Sequence, residues 1–199
     1  MNPKITNIRE FIIDEDMTGV LEAISLVEEP AIEMDFLYFE KNQNVLYFQD
    51  DEKHIITGAA MVPDKLIYRN DGLEEFYGFF TKESIRKCAF QFLKEKRNDK
   101  MTLNHESPIE GVYVIESWIV DNPEMDKSKE LGLNVPLGTW MISMKVENEE
   151  VWQDIKEGRA KGFSIEGFFG LNKKEKPLLE LIHEAVIAED LDLIKKLLQ

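Results

Sequence analysis

Gly111–Val120, GVYVIESWIV, is the most strand-like stretch of the chain, and the rest is read outward from it. β-branched and aromatic residues dominate it. A regular strand here puts Val112, Val114, Glu116, Trp118 and Val120 on one face. Two segments of the same character follow, Gly138–Val146 (GTWMISMKV) and Gly162–Phe169 (GFSIEGFF). Between them Asn148 is placed to cap a helix with Glu149 and Glu150 in its first turn. Val151, Trp152 and Ile155 then face inward, and Gly158 stands where a left-handed residue ends the helix. Upstream, Ile55–Val62 reads as a buried strand with small residues, and Glu75–Thr81 as an aromatic one. Thr81 can cap a helix whose apolar stripe is Ile85, Cys88, Ala89, Phe92 and Leu93. Lys100–His105 is a short strand candidate, and polar Asp121–Pro136 is a long loop. Strands and helices in this mixture give the α+β class.

Either side of this region the pattern weakens. Residues 1–50 carry two apolar runs, Ile8–Ile13 and Gly19–Val27, the second closed by Glu28-Glu29-Pro30. A soft boundary near residue 50 sets them apart as an N-terminal leader or docking segment. Whether they are a propeptide, a docking arm or part of the core is open at this point. Residues 51–172 form the central domain. Residues 173–199 follow a charged break, with Pro177 opening an amphipathic helical segment.

Composition narrows the function. The chain has 199 residues, 39 Asp and Glu against 24 Lys and Arg, and a formal net charge of −15. Such an acidic chain is unsuited to nonspecific nucleic-acid binding, which needs cations to displace phosphate counterions. It is equally unsuited to anionic membrane. No apolar run reaches the ~20 residues of a membrane-spanning helix. Met1–Asn7 has no apolar signal core, so a cytoplasmic protein is expected. One cysteine, Cys88, excludes an internal disulfide and a multi-cysteine zinc site, and its place on a helical stripe points to burial. Neither GxxxxGK[ST], GxGxxG nor GxSxG occurs, so phosphate-loop and α/β-hydrolase chemistry are not indicated.

Two residues stand out as candidates for nucleophilic chemistry. Ser164 interrupts an apolar strand between Gly162 and Gly167, where glycine allows another backbone to come close. A scissile peptide needs that clearance; a buried serine bonded to a carbonyl is the plainer alternative. His105 closes a short strand and can take a proton from a serine hydroxyl. Its plainer reading is a surface turn. His54 beside Lys53 is expected in solvent, and His183 on a helix face. For a carboxylate to orient the imidazole, Glu116 is one choice, being the odd member of its strand face. Glu166 competes because it is two residues from Ser164 and points to the same side; Glu106, Asp190 and Asp192 also stay open.

The residues LNHESPIEGVYVIESWIVD and PLGTWMISMKVENEEVWQDIKEGRAKGFSIEGFF together resemble the XkdF-like serine proteases of tailed phages and prophages. The likeness covers roughly residues 54–170, and the leader ISLVEEPAIEMDF resembles the opening of such proteins. The wider group is the caudovirus prohead proteases, related to herpesvirus assemblins. The resemblance implies a mostly antiparallel β-barrel core with surrounding helices. It implies a serine endopeptidase, packed in the phage prohead in the host cytoplasm, that trims scaffold and major capsid protein extensions and possibly itself. The family's histidine in NH[DE] and serine in its strand motif fall on His105 and Ser164. The third member varies, with Glu116 taken as its candidate here. Ser164-Ile165-Glu166-Gly167 has one residue more than the simplest S-x-G form. The resemblance further implies no metal or organic cofactor, and a homodimer by analogy with assemblins. A catalytically idle structural or cargo component of the head is the alternative, and a metal-dependent hydrolase using His105 and Glu106 a third.

Overall fold

The computed structural model describes residues 8–13, 20–30, 37–38, 53–70 and 74–172. The helix expected after Pro177 lies outside them, as do His183, Asp190 and Asp192. In chain order the strands are β1 (Ile8–Ile12), β2 (Val20–Val27), β3 (Leu37–Tyr38), β4 (Ile55–Met61), β5 (Ile67–Asn70) and β6 (Glu75–Phe79). They continue as β7 (Met101–Leu103), β8 (Ser107–Ile109), β9 (Val112–Ile119), β10 (Trp140–Val146), β11 (Gly162–Phe168) and β12 (Gly170–Asn172). Three helices join them: α1 (Lys82–Lys94), α2 (Lys127–Glu130) and α3 (Glu149–Lys156). No helix among the described residues is long and apolar enough to cross a membrane.

The strands form three four-stranded sheets, in the orders β12-β1-β6-β5, β3-β4-β10-β9 and β11-β2-β7-β8. Pairing is antiparallel except between β1 and β6 and between β2 and β7. The mixed, strand-rich class agrees with the sequence reading. Among the described residues, however, the ladders do not close into a barrel. β4 and β11 come side by side without pairing, and Ala60–Val62 and Phe163–Ile165 line a small pocket together.

The described strands of the N-terminal segment pair into these sheets. β1 and β2 are inner strands of two different sheets. Burial explains this: Ile8 and Phe11 of β1, and Leu21, Ile24 and Leu26 of β2, are core residues, and each burial of such a side chain contributes about 1.5–3 kcal/mol. Phe11 packs against Phe80 at 4.7 Å between centroids and against Phe169 at 6.1 Å. It also covers Gly78 of β6 so closely that a Cβ there would lie 2.0 Å from two of its ring carbons. Gly78→Ala is therefore expected to destabilise the protein by about 1–3 kcal/mol, through displacement of a packed ring. Urea titration measures it. In a Phe11→Ala background the added cost should largely vanish, and an undiminished cost there would show that β1 does not press on β6.

Local signals mostly act as read. Thr81 caps α1 by accepting the Ser84 N–H, and Asn148 caps α3 by accepting from Glu150 and Val151. Gly158 follows α3 at φ +72°, in the left-handed region where a side chain would be strained. The apolar stripe of α1 is narrower than its spacing suggests. Ile85, Cys88, Ala89 and Phe92 are buried, with Phe92 edge-on to Trp140 at 5.5 Å, but Leu93 is 47% exposed. β9 departs from its regular form too. Its ladder with β10 pairs Val114 with Met144 and Glu116 with Ser143, skipping Ile115. This one-residue bulge turns Val114 and Glu116 to opposite faces.

Candidate active site

The sheet β11-β2-β7-β8 brings three hydroxyl residues abreast. Ser164 on β11 is directly opposite Ser25 on β2, and Ser25 is level with Thr102 on the parallel β7. Cross-strand neighbours share a face, so these three point the same way, and Glu166 joins them by the two-residue period. The opposite face carries Phe163, Ile24, Leu26 and Met101, all core residues. The chain thus places an apolar face inward and a row of polar groups on the other side. Ala23, opposite Glu166, is small enough for the glutamate to reach across it. The Glu166 carboxylate accepts a short hydrogen bond from the Thr102 hydroxyl.

His105 arrives from the other edge of this row. After β7 the chain turns sharply through Asn104 and His105, with φ of +49° and +60°. Two consecutive non-glycine residues in this region cost about 1–2 kcal/mol each. Two backbone hydrogen bonds offset that cost: Asn104 N–H donates to the Leu26 carbonyl at 2.9 Å, and His105 N–H to the Ser25 hydroxyl at 3.0 Å. Ser25, fully buried, also donates to the Thr102 carbonyl at 3.4 Å. The turn folds the imidazole back over the sheet, with Nδ1 at 3.2 Å from Glu166 Oε1. An ionised carboxylate only accepts, so this contact calls for the proton on Nδ1 and leaves Nε2 as the basic nitrogen. The imidazole is 44% exposed and Glu166 26%. Ser164 is nearly enclosed, at 7% exposure, one strand beyond the serine that holds the His105 backbone. No hydrogen bond joins His105 to Ser164 among the described residues.

The other candidates lie elsewhere. Glu116 belongs to the sheet β3-β4-β10-β9, where it accepts from Lys127 Nζ and from Ser143 Oγ, and Ser143 meets Thr57 at 2.9 Å. The carboxylate beside His105 is that of Glu166. Burial pushes the Glu116 pKa up, but the hydrogen bonds from Lys127 and Ser143 outweigh it and hold the group below its ordinary value of 4.5. A carboxyl depressed on folding contributes stability that is present above its unfolded pKa and lost as pH falls through the folded one. Glu116→Gln should therefore flatten the acid limb of a stability–pH curve below pH ~5. Chemical denaturation from pH 7 to pH 3 reads the effect, and an unchanged acid limb would contradict this account.

His54 is not in open solvent: it stacks on Trp152 at 4.4 Å, with Nδ1 3.2 Å from the Val146 carbonyl. Glu106 is exposed in the turn. Burial pushes the Cys88 thiol up to about 12, which suits a packing role. Among the described residues no group of three or more His, Cys, Asp or Glu side chains is placed to hold a metal. Ser25 and Thr102 are the residues that reading the chain alone did not single out. Ser25 carried a signal, as the one hydroxyl near the end of the apolar run GVLEAISLV.

A serine, a histidine and a carboxylate on one face of a largely antiparallel sheet make up the set used by serine hydrolases. Residues 43–172 match the family described as "Putative phage serine protease XkdF", and the chain belongs to that family. His105, Glu166 and Ser164 all fall within the match, and Ser25 precedes it. The chain is 30% identical over 142 residues to YqbD of Bacillus subtilis (strain 168), an uncharacterized protein, covering 70% of this chain and 39% of YqbD. It is 28% identical over 148 residues to the phage-like element PBSX protein XkdF of the same organism, covering 74% of this chain and 46% of that protein. The chain thus spans less than half the length of these relatives. No solved structure matches it.

Proposed function

We propose that the protein is a serine endopeptidase of phage head maturation, with Ser164 as nucleophile, His105 as general base and Glu166 as the group that orients the imidazole. The observation that carries this reading is the contact between His105 Nδ1 and Glu166 on the sheet face that also bears Ser164. Glu166 fixes the tautomer and stabilises the imidazolium as it forms. Nε2 takes the Ser164 proton as the hydroxyl oxygen bonds to the scissile carbonyl carbon. It then returns the proton to the leaving amine as the C–N bond breaks. Water, deprotonated by the same nitrogen, releases the acyl group and restores Ser164. On this reading a bound peptide brings imidazole and hydroxyl within reach, as catalytic hydrogen bonds often tighten only in the complex.

The substrates of this reading are scaffold and major capsid protein extensions inside the prohead, in the host cytoplasm, with self-cleavage and a homodimer as accompanying features. The three sheets, with β4 lying beside β11, then represent a herpesvirus-protease-like barrel interrupted next to the nucleophile. A second reading draws on the missing His105–Ser164 hydrogen bond: an idle fold serving as a structural part of the head. Co-expression with the cognate capsid and scaffold proteins decides between them. The protease reading expects truncated capsid or scaffold chains by intact-mass spectrometry. Mature particles in which every chain keeps its full mass would establish the structural one.

A further inference from the structure

Arg69 of β5 lines the same small pocket as Ser164. The remaining wall is apolar, formed by Ala60, Val62, Ile67, Phe80 and Phe163 among others. The guanidinium is half-buried, stands 6.0 Å from the centre of the Phe11 ring, and has its pKa lowered by burial. Arginine can donate five hydrogen bonds. Among the described residues Arg69 makes one, from Nη1 to the Tyr68 carbonyl at 2.9 Å. It meets no carboxylate there. The other arginines all do: Arg9 pairs with Glu74, Arg86 with Asp121, Arg97 with Glu95, and Arg159 with Asp154. A partly desolvated cation without a counter-charge is unfavourable unless something else supplies one. A guanidinium fork in an apolar pocket is well matched to a carboxylate entering from outside.

We propose that this pocket is a specificity site for an acidic side chain, with Arg69 receiving the carboxylate of an Asp or Glu close to the peptide bond presented to Ser164. The assignment rests on Ser164 being the nucleophile and adds which peptides reach it. The apolar walls around Arg69 lower the local dielectric and strengthen its attraction for a carboxylate. A glutamine of the same shape offers only a neutral carbonyl oxygen. The site therefore discriminates by charge more than by size.

The test uses the full chain and two separate readouts. A small fluorophosphonate, which has no peptide side chain, reports on Ser164 alone. Paired peptides differing only by Glu or Gln, scanned through the positions flanking a mapped cut, report on the pocket. Glu should exceed Gln in kcat/KM by about tenfold or more at one position. Arg69→Met, an apolar side chain of similar reach, should erase that ratio with Ser164 labelling unchanged, and Arg69→Lys should keep part of it. A labelled enzyme that cuts without an acidic preference, or whose preference survives Arg69→Met, overturns the proposal and leaves the protease reading standing. Absence of both labelling and cleavage in the wild type removes the two together.

Discussion

On the proposed reading, Ser164→Ala is expected to abolish cleavage of co-expressed capsid and scaffold chains, with a loss in rate of about 10⁴-fold or more, and to leave the fold intact. The size of the effect follows from the chemistry: alanine has no oxygen to form the acyl bond, so only residual positioning of water remains. The small effect on stability follows from the setting. Ser164 sits where a methyl group fits, on a strand held by its ladder to β2 and by buried Phe163 beside it. The variant should therefore melt within a few degrees of the wild type while its substrates stay at full mass. Cleavage that continued in Ser164→Ala would assign the chemistry to another residue.

Glu166→Gln is expected to lower kcat by about 10²–10⁴-fold with a smaller change in KM. The carboxylate accepts from Thr102 Oγ1 and lies 3.2 Å from His105 Nδ1. An amide at this position can turn its NH₂ toward Nδ1, which favours the tautomer with the proton on Nε2, where it cannot serve as the base. Glu116→Gln is the matched control, because its carboxylate is engaged with Lys127 and Ser143 in another sheet. Steady-state kinetics on one peptide compares the three proteins. Equal loss in both variants would point to general charge or stability effects. Loss confined to Glu116→Gln would move the third member of the site to β9.

The contrast between those two glutamates shows what can be read from a chain and what cannot. Ser164 and Glu166 are two apart on one strand, so their shared side follows from the period of a strand alone. Glu116 looks anomalous between Val114 and Trp118 for a reason that is not local. Its cation is Lys127, eleven residues on, in a segment that reads as plain loop but contains the short helix α2. The bulge at Ile115 is equally invisible, because it depends on the register with β10. Helix caps at Thr81 and Asn148 were readable because they are settled within three or four residues. Ser25 was not, because its partner His105 is eighty residues away. Nothing short of the β2–β7 and β2–β11 pairings brings the N-terminal segment to the site. Arg69 is a similar case: among the described residues it lacks the carboxylate that every other arginine has, which only coordinates reveal.

On the proposed mechanism Ser164 and His105 act together as nucleophile and base. Peptide mapping of protein treated with a fluorophosphonate, run on the wild type and on His105→Ala, tests it most directly. A single adduct on Ser164 in the wild type, formed at least about 10²-fold more slowly without the imidazole, is the predicted result. An adduct that forms on Ser164 at the same rate in His105→Ala, or no adduct on Ser164 at all in the folded wild type, would contradict it.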